Sequence, residues 1–149
     1  MGFFIANRIL RMKTKHYLTL SDAEFLLNQA HQYAVDHAFN VSICIVDETG
    51  NLLAMKRMDG ASPMTANLAV EKARCSAISR RPSAVFENLI KNGQMGFLTM
   101  DTFSGMLEGG EPILYDGQLI GAVGVSGVKS FQDAEIAQFA IENFLAQFV

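Results

Sequence analysis

Glu108-Gly109-Gly110-Glu111-Pro112-Ile113-Leu114-Tyr115-Asp116-Gly117-Gln118-Leu119-Ile120-Gly121-Ala122-Val123-Gly124-Val125-Ser126-Gly127 holds six of the chain's twelve glycines. Two short apolar runs meet at Asp116-Gly117, a dipeptide that favours a two-residue hairpin turn. The second run then carries glycine at every third position. Side chains alternate across a strand, so Ile120, Ala122, Gly124 and Ser126 are expected on one face. Gly121, Val123, Val125 and Gly127 take the other. The first face shrinks toward its end to hydrogen and hydroxymethyl groups. Its backbone is open to close approach by a helix, another subunit or a ligand.

Working outward, the 149 residues suggest one domain, and half of them are hydrophobic, enough for a core without staples. Net charge is -3, with no basic block. Nucleic-acid binding is not expected, because phosphate contacts need clustered Lys and Arg. No run approaches the ~20 apolar residues of a membrane span. Cys44 and Cys75 have no metal-type spacing and read as buried free thiols, which suit the reducing cytoplasm. Residues 1–17 read as an N-terminal extension without the cleavage site of an export signal. It is expected either to be disordered or to dock on a neighbouring subunit through Phe3, Phe4, Ile5, Ile9 and Leu10.

Ser21 with Glu24 forms a capping-box pattern for a first helix, whose stripe is Ala23, Leu26, Leu27, Ala30, Tyr33 and Ala34. Val41 to Asp47 and Leu52 to Met58 read as strands joined by a Gly50 turn. A helix from about Met64 to Ser79 presents Ala66, Ala69, Val70, Ala73 and Ala77, small enough for close packing. Ser83 to Lys91 is a short helix. Residues 94–107 fit neither helical nor strand periodicity. A last helix opens at Ser130. Two hairpins covered by helices give an α+β fold with a mainly antiparallel sheet.

Val46-Asp47 with Gly50-Asn51, Arg57-Met58-Asp59-Gly60, Lys72-Ala73, Glu108 to Ile113, Gly117, Ile120 to Gly127 and Asp133 occur in order. In that pattern the chain resembles the GlcG/HbpS family, which includes the C-terminal domains of PduO-type proteins. The resemblance covers residues 18–149. It implies a profilin-like α/β/α sandwich and homo-oligomers, from dimers to octamers. It also implies haem binding in some members and haem degradation in others. Relatives have Gly near Ala38, so Asn40 is expected to take the left-handed turn here.

The candidate ligand-binding residues are Lys72, Arg57, Glu108, Gly109, Gly110, Gly124, Ser126 and Asp133. Lys72 with Arg57 and Arg74 suits the propionates of haem or another carboxylate. The plain alternative is a salt bridge from Lys72 to Asp59, Glu71 or Asp133, and an Arg57–Asp59 pair. Gly109 and Gly110 are read as a tight loop with exposed amides. Because a strand follows them, they are not a phosphate-binding loop. Iron ligands are drawn from His, Cys, Met and Tyr. His16, His31, His37, Cys44 and Cys75 are candidates, none with a supporting partner. Ser126 lacks a nucleophile elbow. The leading expectation is an oligomeric protein binding haem or a related tetrapyrrole, with haem degradation as its chemistry. The alternatives are an accessory protein or enzyme for a small hydroxy acid or aldehyde, with Lys72 and Asp133 as polar catalysts, and a structural assembly module.

Overall fold

The computed structural model describes residues 9–149. Four helices and four strands follow one another as α1 (Leu20–Asp36), β1 (Ser42–Asp47), β2 (Leu52–Arg57), α2 (Pro63–Ser79), α3 (Ala84–Lys91), β3 (Gly110–Tyr115), β4 (Gln118–Ser126) and α4 (Ser130–Leu145). The strands form one antiparallel sheet in the order β2-β1-β4-β3. α1 and α4 pack on one face around Leu26, Ile43, Ile45, Val123, Val125 and Ile136. α2 covers the other face, where Ala69, Ala73 and Ala77 meet Cys44, Val46 and Ala122. The α+β class and the α/β/α layering expected from the sequence are present.

The glycine-rich stretch is a hairpin. Asp116 and Gly117 both have positive φ, +49° and +72°, as a type I′ turn requires. β4 lies inside the sheet between β1 and β3. One detail corrects the alternation. Ile113 pairs with Gly121 while Leu114 pairs with Leu119, so Ile120 is an extra residue in a bulge. The bulge turns Ile120 into the α1/α4 core and leaves Leu119 beside the α2 core. Ile120 therefore does not share a face with Ala122 and Gly124.

α1 starts earlier than expected. Its N-cap is Thr19, not Ser21: Asp22 N–H donates to Thr19 Oγ1 at 3.2 Å, and Thr19 N–H donates to Asp22 Oδ2 at 2.8 Å. Leu18, buried just ahead of the cap in the same core as Ala23, favours this start as a hydrophobic staple. The left-handed residue after α1 is Ala38 at φ +56°, not Asn40. α2 opens with Pro63 in its first turn, where no N–H is needed. Residues 95–99 form a 3-10 turn, and 100–109 cross to β3 without regular structure until Gly110. Of the N-terminal extension, Phe3, Phe4 and Ile5 lie outside the described residues. Ile9 and Leu10 are exposed. Lys15 pairs with Glu48 at 2.7 Å, and the His16 ring meets Tyr115 edge-on at 4.9 Å. No helix among the described residues is long and apolar enough to cross a membrane.

Candidate functional site

Close approach to the small face of β4 is made by α2. A Cβ on Gly124 would collide with the Ala69 carbonyl oxygen and stand 2.8 Å from Ala73 Cβ. Ser126, buried beside Gly124 at the end of the strand, pairs in register with Ser42. Gly124 and Ser126 thus belong to a helix–sheet contact.

One turn along the same helix, Lys72 is buried. Its Nζ donates to Asp133 Oδ2 at 2.9 Å and to the Val125 carbonyl at 3.0 Å. Asp133 Oδ1 accepts from Val128 N–H at 3.2 Å. Of the acids weighed for Lys72, Asp133 is its partner. Burial pushes the Asp133 carboxyl above the ordinary carboxylate range, and the Lys72 ammonium opposes that rise. The pair joins α2 to the first turn of α4 past the end of β4.

Gly109 lies over this pair. At φ +128° it occupies backbone space that L residues avoid, and a Cβ there would stand 2.9 Å from Lys72 Nζ. Its carbonyl accepts from Val125 N–H at 3.0 Å. Gly110 N–H donates to Ser83 Oγ at 2.8 Å, and Ser83 N–H returns a bond to Gly110 O at 2.9 Å. The Gly110 amide is therefore paired, not exposed as the sequence suggested. Ser83, just ahead of α3, also donates to the Leu107 carbonyl. Glu108 N–H donates to Glu87 Oε2 at 2.7 Å. The double glycine is a clasp that anchors the 100–109 segment to α2 and α3.

Beside that clasp the segment leaves an open cavity of about 400 Å³. Ile90, Leu98, Met100, Phe103, Met106 and Leu107 give it an apolar wall, with Glu87, Lys91 and Ser104 as polar members. Lys91 Nζ lies 2.8 Å from Glu87 Oε1, and its side chain remains largely exposed at the rim. Behind the wall, Phe86 meets Phe97 and the wall residue Phe103 edge-on, with centroids 5.4 and 5.2 Å away. Sequence reasoning left these residues out because 94–107 has no regular period. Its density of Met and aromatic side chains was the available signal.

Arg57 stands elsewhere. Its Nε donates to the Ala61 carbonyl at 3.3 Å, and it lines a separate cleft with His31 and Lys56. It makes no salt bridge to Asp59. Burial pushes the Cys44 and Cys75 thiols up to about 12, so both stay protonated and are poor metal ligands. His37 stacks on Tyr33 at 3.9 Å, its Nδ1 2.8 Å from the Tyr33 carbonyl. Among the described residues no three His, Cys, Asp or Glu side chains converge as a metal site.

The model of a family described as "Haem degrading protein HbpS-like" matches residues 18–142. This chain belongs to the HbpS-like family. Protein GlcG of Escherichia coli strain K12 is 41% identical over 115 residues, spanning 77% of this chain and 85% of that protein. The crystal structure of Klebsiella pneumoniae ORFY matches with a TM-score of 0.84 and 27% identity, covering 93% of this chain and 98% of that one. A structure of PduOC in complex with heme matches with a TM-score of 0.75 and 27% identity, covering 85% and 94%. The HbpS-like match starts at Leu18, the residue that precedes the α1 cap.

Proposed function

We propose that this chain binds haem or a related tetrapyrrole in the cavity between α3 and the 95–107 segment. The observation that carries the reading is the cavity's composition: an apolar wall with two thioethers and one cation at the rim. A flat apolar macrocycle suits Ile90, Leu98 and Phe103. Met100 and Met106 supply soft sulfur donors of a kind that iron in haem accepts. Lys91 suits a propionate. Kinship with an HbpS-like family and with a protein solved with heme supports the same ligand.

Lys72 and Asp133 act in this reading as positioning residues. They hold α2 under Gly109 and so fix the segment that walls the cavity. When bound, haem would supply oxidative chemistry, including oxidation of its own ring with an external reductant and dioxygen. The chain's part is to bind the ring, exclude water from one face and leave the other open. Exposed Met64 and Met95 suit self-association. We place the protein in the cytoplasm, where its buried thiols stay reduced.

A hemin titration followed at the Soret band tests the reading. A saturable shift at one haem per chain, weakened at least about tenfold by Leu98→Glu, is the expected result, because the carboxylate would lose water where the macrocycle covers it. A linear, non-saturating absorbance would end it. Bleaching with ascorbate in air and release of iron report degradation, and light scattering reports assembly.

A further inference from the structure

A small cavity of about 110 Å³ lies between the segment ahead of α1, the β3–β4 hairpin and the end of α4. Five of its lining residues carry aromatic rings: His16, Tyr17, Tyr115, Phe144 and Phe148. His16 N–H donates to Gln118 Oε1 at 3.0 Å, which ties the leading segment to the hairpin. Phe148 stands in a short 3-10 turn, 146–148, that follows α4. The rings are set at open angles and do not stack. His16 meets Tyr115 at 89°, Phe148 meets Tyr115 at 56° and Phe148 meets Phe144 at 74°, with centroids 4.9, 5.4 and 5.1 Å apart. Ile120, turned inward by the β4 bulge, lines the cavity from the core side. Tyr17 and Phe148 remain 69% and 52% exposed beside it. Asp22, in the first turn of α1, is the one carboxylate of the lining, and no Lys or Arg joins it. Thr19 N–H and Thr19 Oγ1 both donate to Asp22 Oδ2, at 2.8 Å each. Oδ1 accepts no hydrogen bond and Asp22 makes no salt bridge among the described residues.

We infer that this cavity binds a quaternary methylammonium head group. Aromatic rings carry negative charge on their faces, and several rings around one space attract a cation that has shed its water. A quaternary ammonium has no N–H, so it leaves no donor unpaired among apolar walls. Asp22 supplies the one opposite charge, with Oδ1 open to the ligand. The volume suits a single trimethylammonium head and excludes a macrocycle. The proposal does not rest on the tetrapyrrole reading, because no residue lines both cavities.

The test is an amide chemical-shift titration of the full chain with choline chloride at constant ionic strength, with 3,3-dimethylbutan-1-ol as the uncharged isostere. An N-acetyl-trimethyllysine amide, run in parallel, carries the same head group and separates a modified side chain from a free cation as its source. Choline is expected to give saturable shifts at residues 16–22, 115, 120 and 144–148, and to bind at least about tenfold more tightly than the alcohol. Phe148→Leu keeps apolar bulk and loses the ring face. It is expected to weaken choline about threefold or more and to leave the alcohol nearly unchanged. Phe148 lies beyond α4 and is half-exposed, so this variant keeps the fold and carries the test if others do not. Asp22→Asn retains an acceptor for Thr19 and is expected to weaken choline alone. Shifts that grow linearly overturn the site. An alcohol that binds as tightly as choline overturns the assignment to a cation. Choline binding unchanged in both Phe148→Leu and Asp22→Asn overturns the roles of the rings and the carboxylate.

Discussion

Lys72 Nζ and Asp133 Oδ2 meet at 2.9 Å with both side chains only 3% exposed, and they connect the two helical layers at one end of the sheet. Removing one partner leaves a charge uncompensated in the interior. Lys72→Met is expected to destabilise the fold by about 3–5 kcal/mol, measured by urea unfolding. Lys72→Met with Asp133→Asn is expected to recover part of that loss, because no lone charge remains. A single variant as stable as wild type would show that the pair is not a structural tie.

Gly124 has no room for a methyl group. Gly124→Ala sets a Cβ against the Ala69 carbonyl and 2.7 Å from Ala73 N, so α2 must lift from the sheet. Overpacking of this kind costs roughly 1–3 kcal/mol. Gly96→Ala is the control, since its Cβ would meet nothing within 4 Å. Equal melting temperatures for the two variants would contradict the close α2–β4 contact.

Glu111 gives stability a pH dependence. Burial pushes its carboxyl from 4.5 up to about 7, opposed by the Gln138 side chain and reinforced by Glu108. Below pH 4.5 both folded and unfolded chains hold the proton, and ionisation costs nothing. Between 4.5 and 7 the unfolded chain releases it first, so stability falls as pH rises. Above about 7 the penalty is complete, at most ~3 kcal/mol. Glu111→Gln is expected to flatten this part of the profile and to be the more stable protein at pH 8. Asp133 is raised as well and adds a slope of the same sign from 3.8 upward, so the difference between variant and wild type isolates Glu111. Identical profiles would remove the claim.

Both thiols are buried and held protonated. Native protein at pH 8 is expected to react with a disulfide reagent only as fast as it unfolds, and the denatured chain to give two thiols at once. Rapid reaction of one native thiol would contradict the burial of Cys44 or Cys75.

Much of the fold was legible because its signals are local. Asp116-Gly117 specifies a turn by backbone sterics, and the alanine stripe of α2 matches the small face of β4. What was not legible depended on packing. The bulge at Ile120 inverts the strand's alternation, and the sequence around it carries no break. Ser21 with Glu24 fits the capping-box pattern, but the cap is Thr19, and burial of Leu18 just ahead of it selects that start. Lys72 had three acids to choose from, and only the fold brings Asp133 next to it. The cavity wall was hidden for a different reason. Residues 95–107 are held by Ser83, Glu87 and α2 and not by a repeating pattern of their own.

The most direct test of the account is the crystal structure of the hemin-loaded chain. The account predicts the tetrapyrrole against Ile90, Leu98 and Met106, with Lys91 at a propionate and the Lys72–Asp133 pair intact beneath Gly109. A ring seated away from this cavity, with the 95–107 segment unchanged and uncontacted, would contradict it.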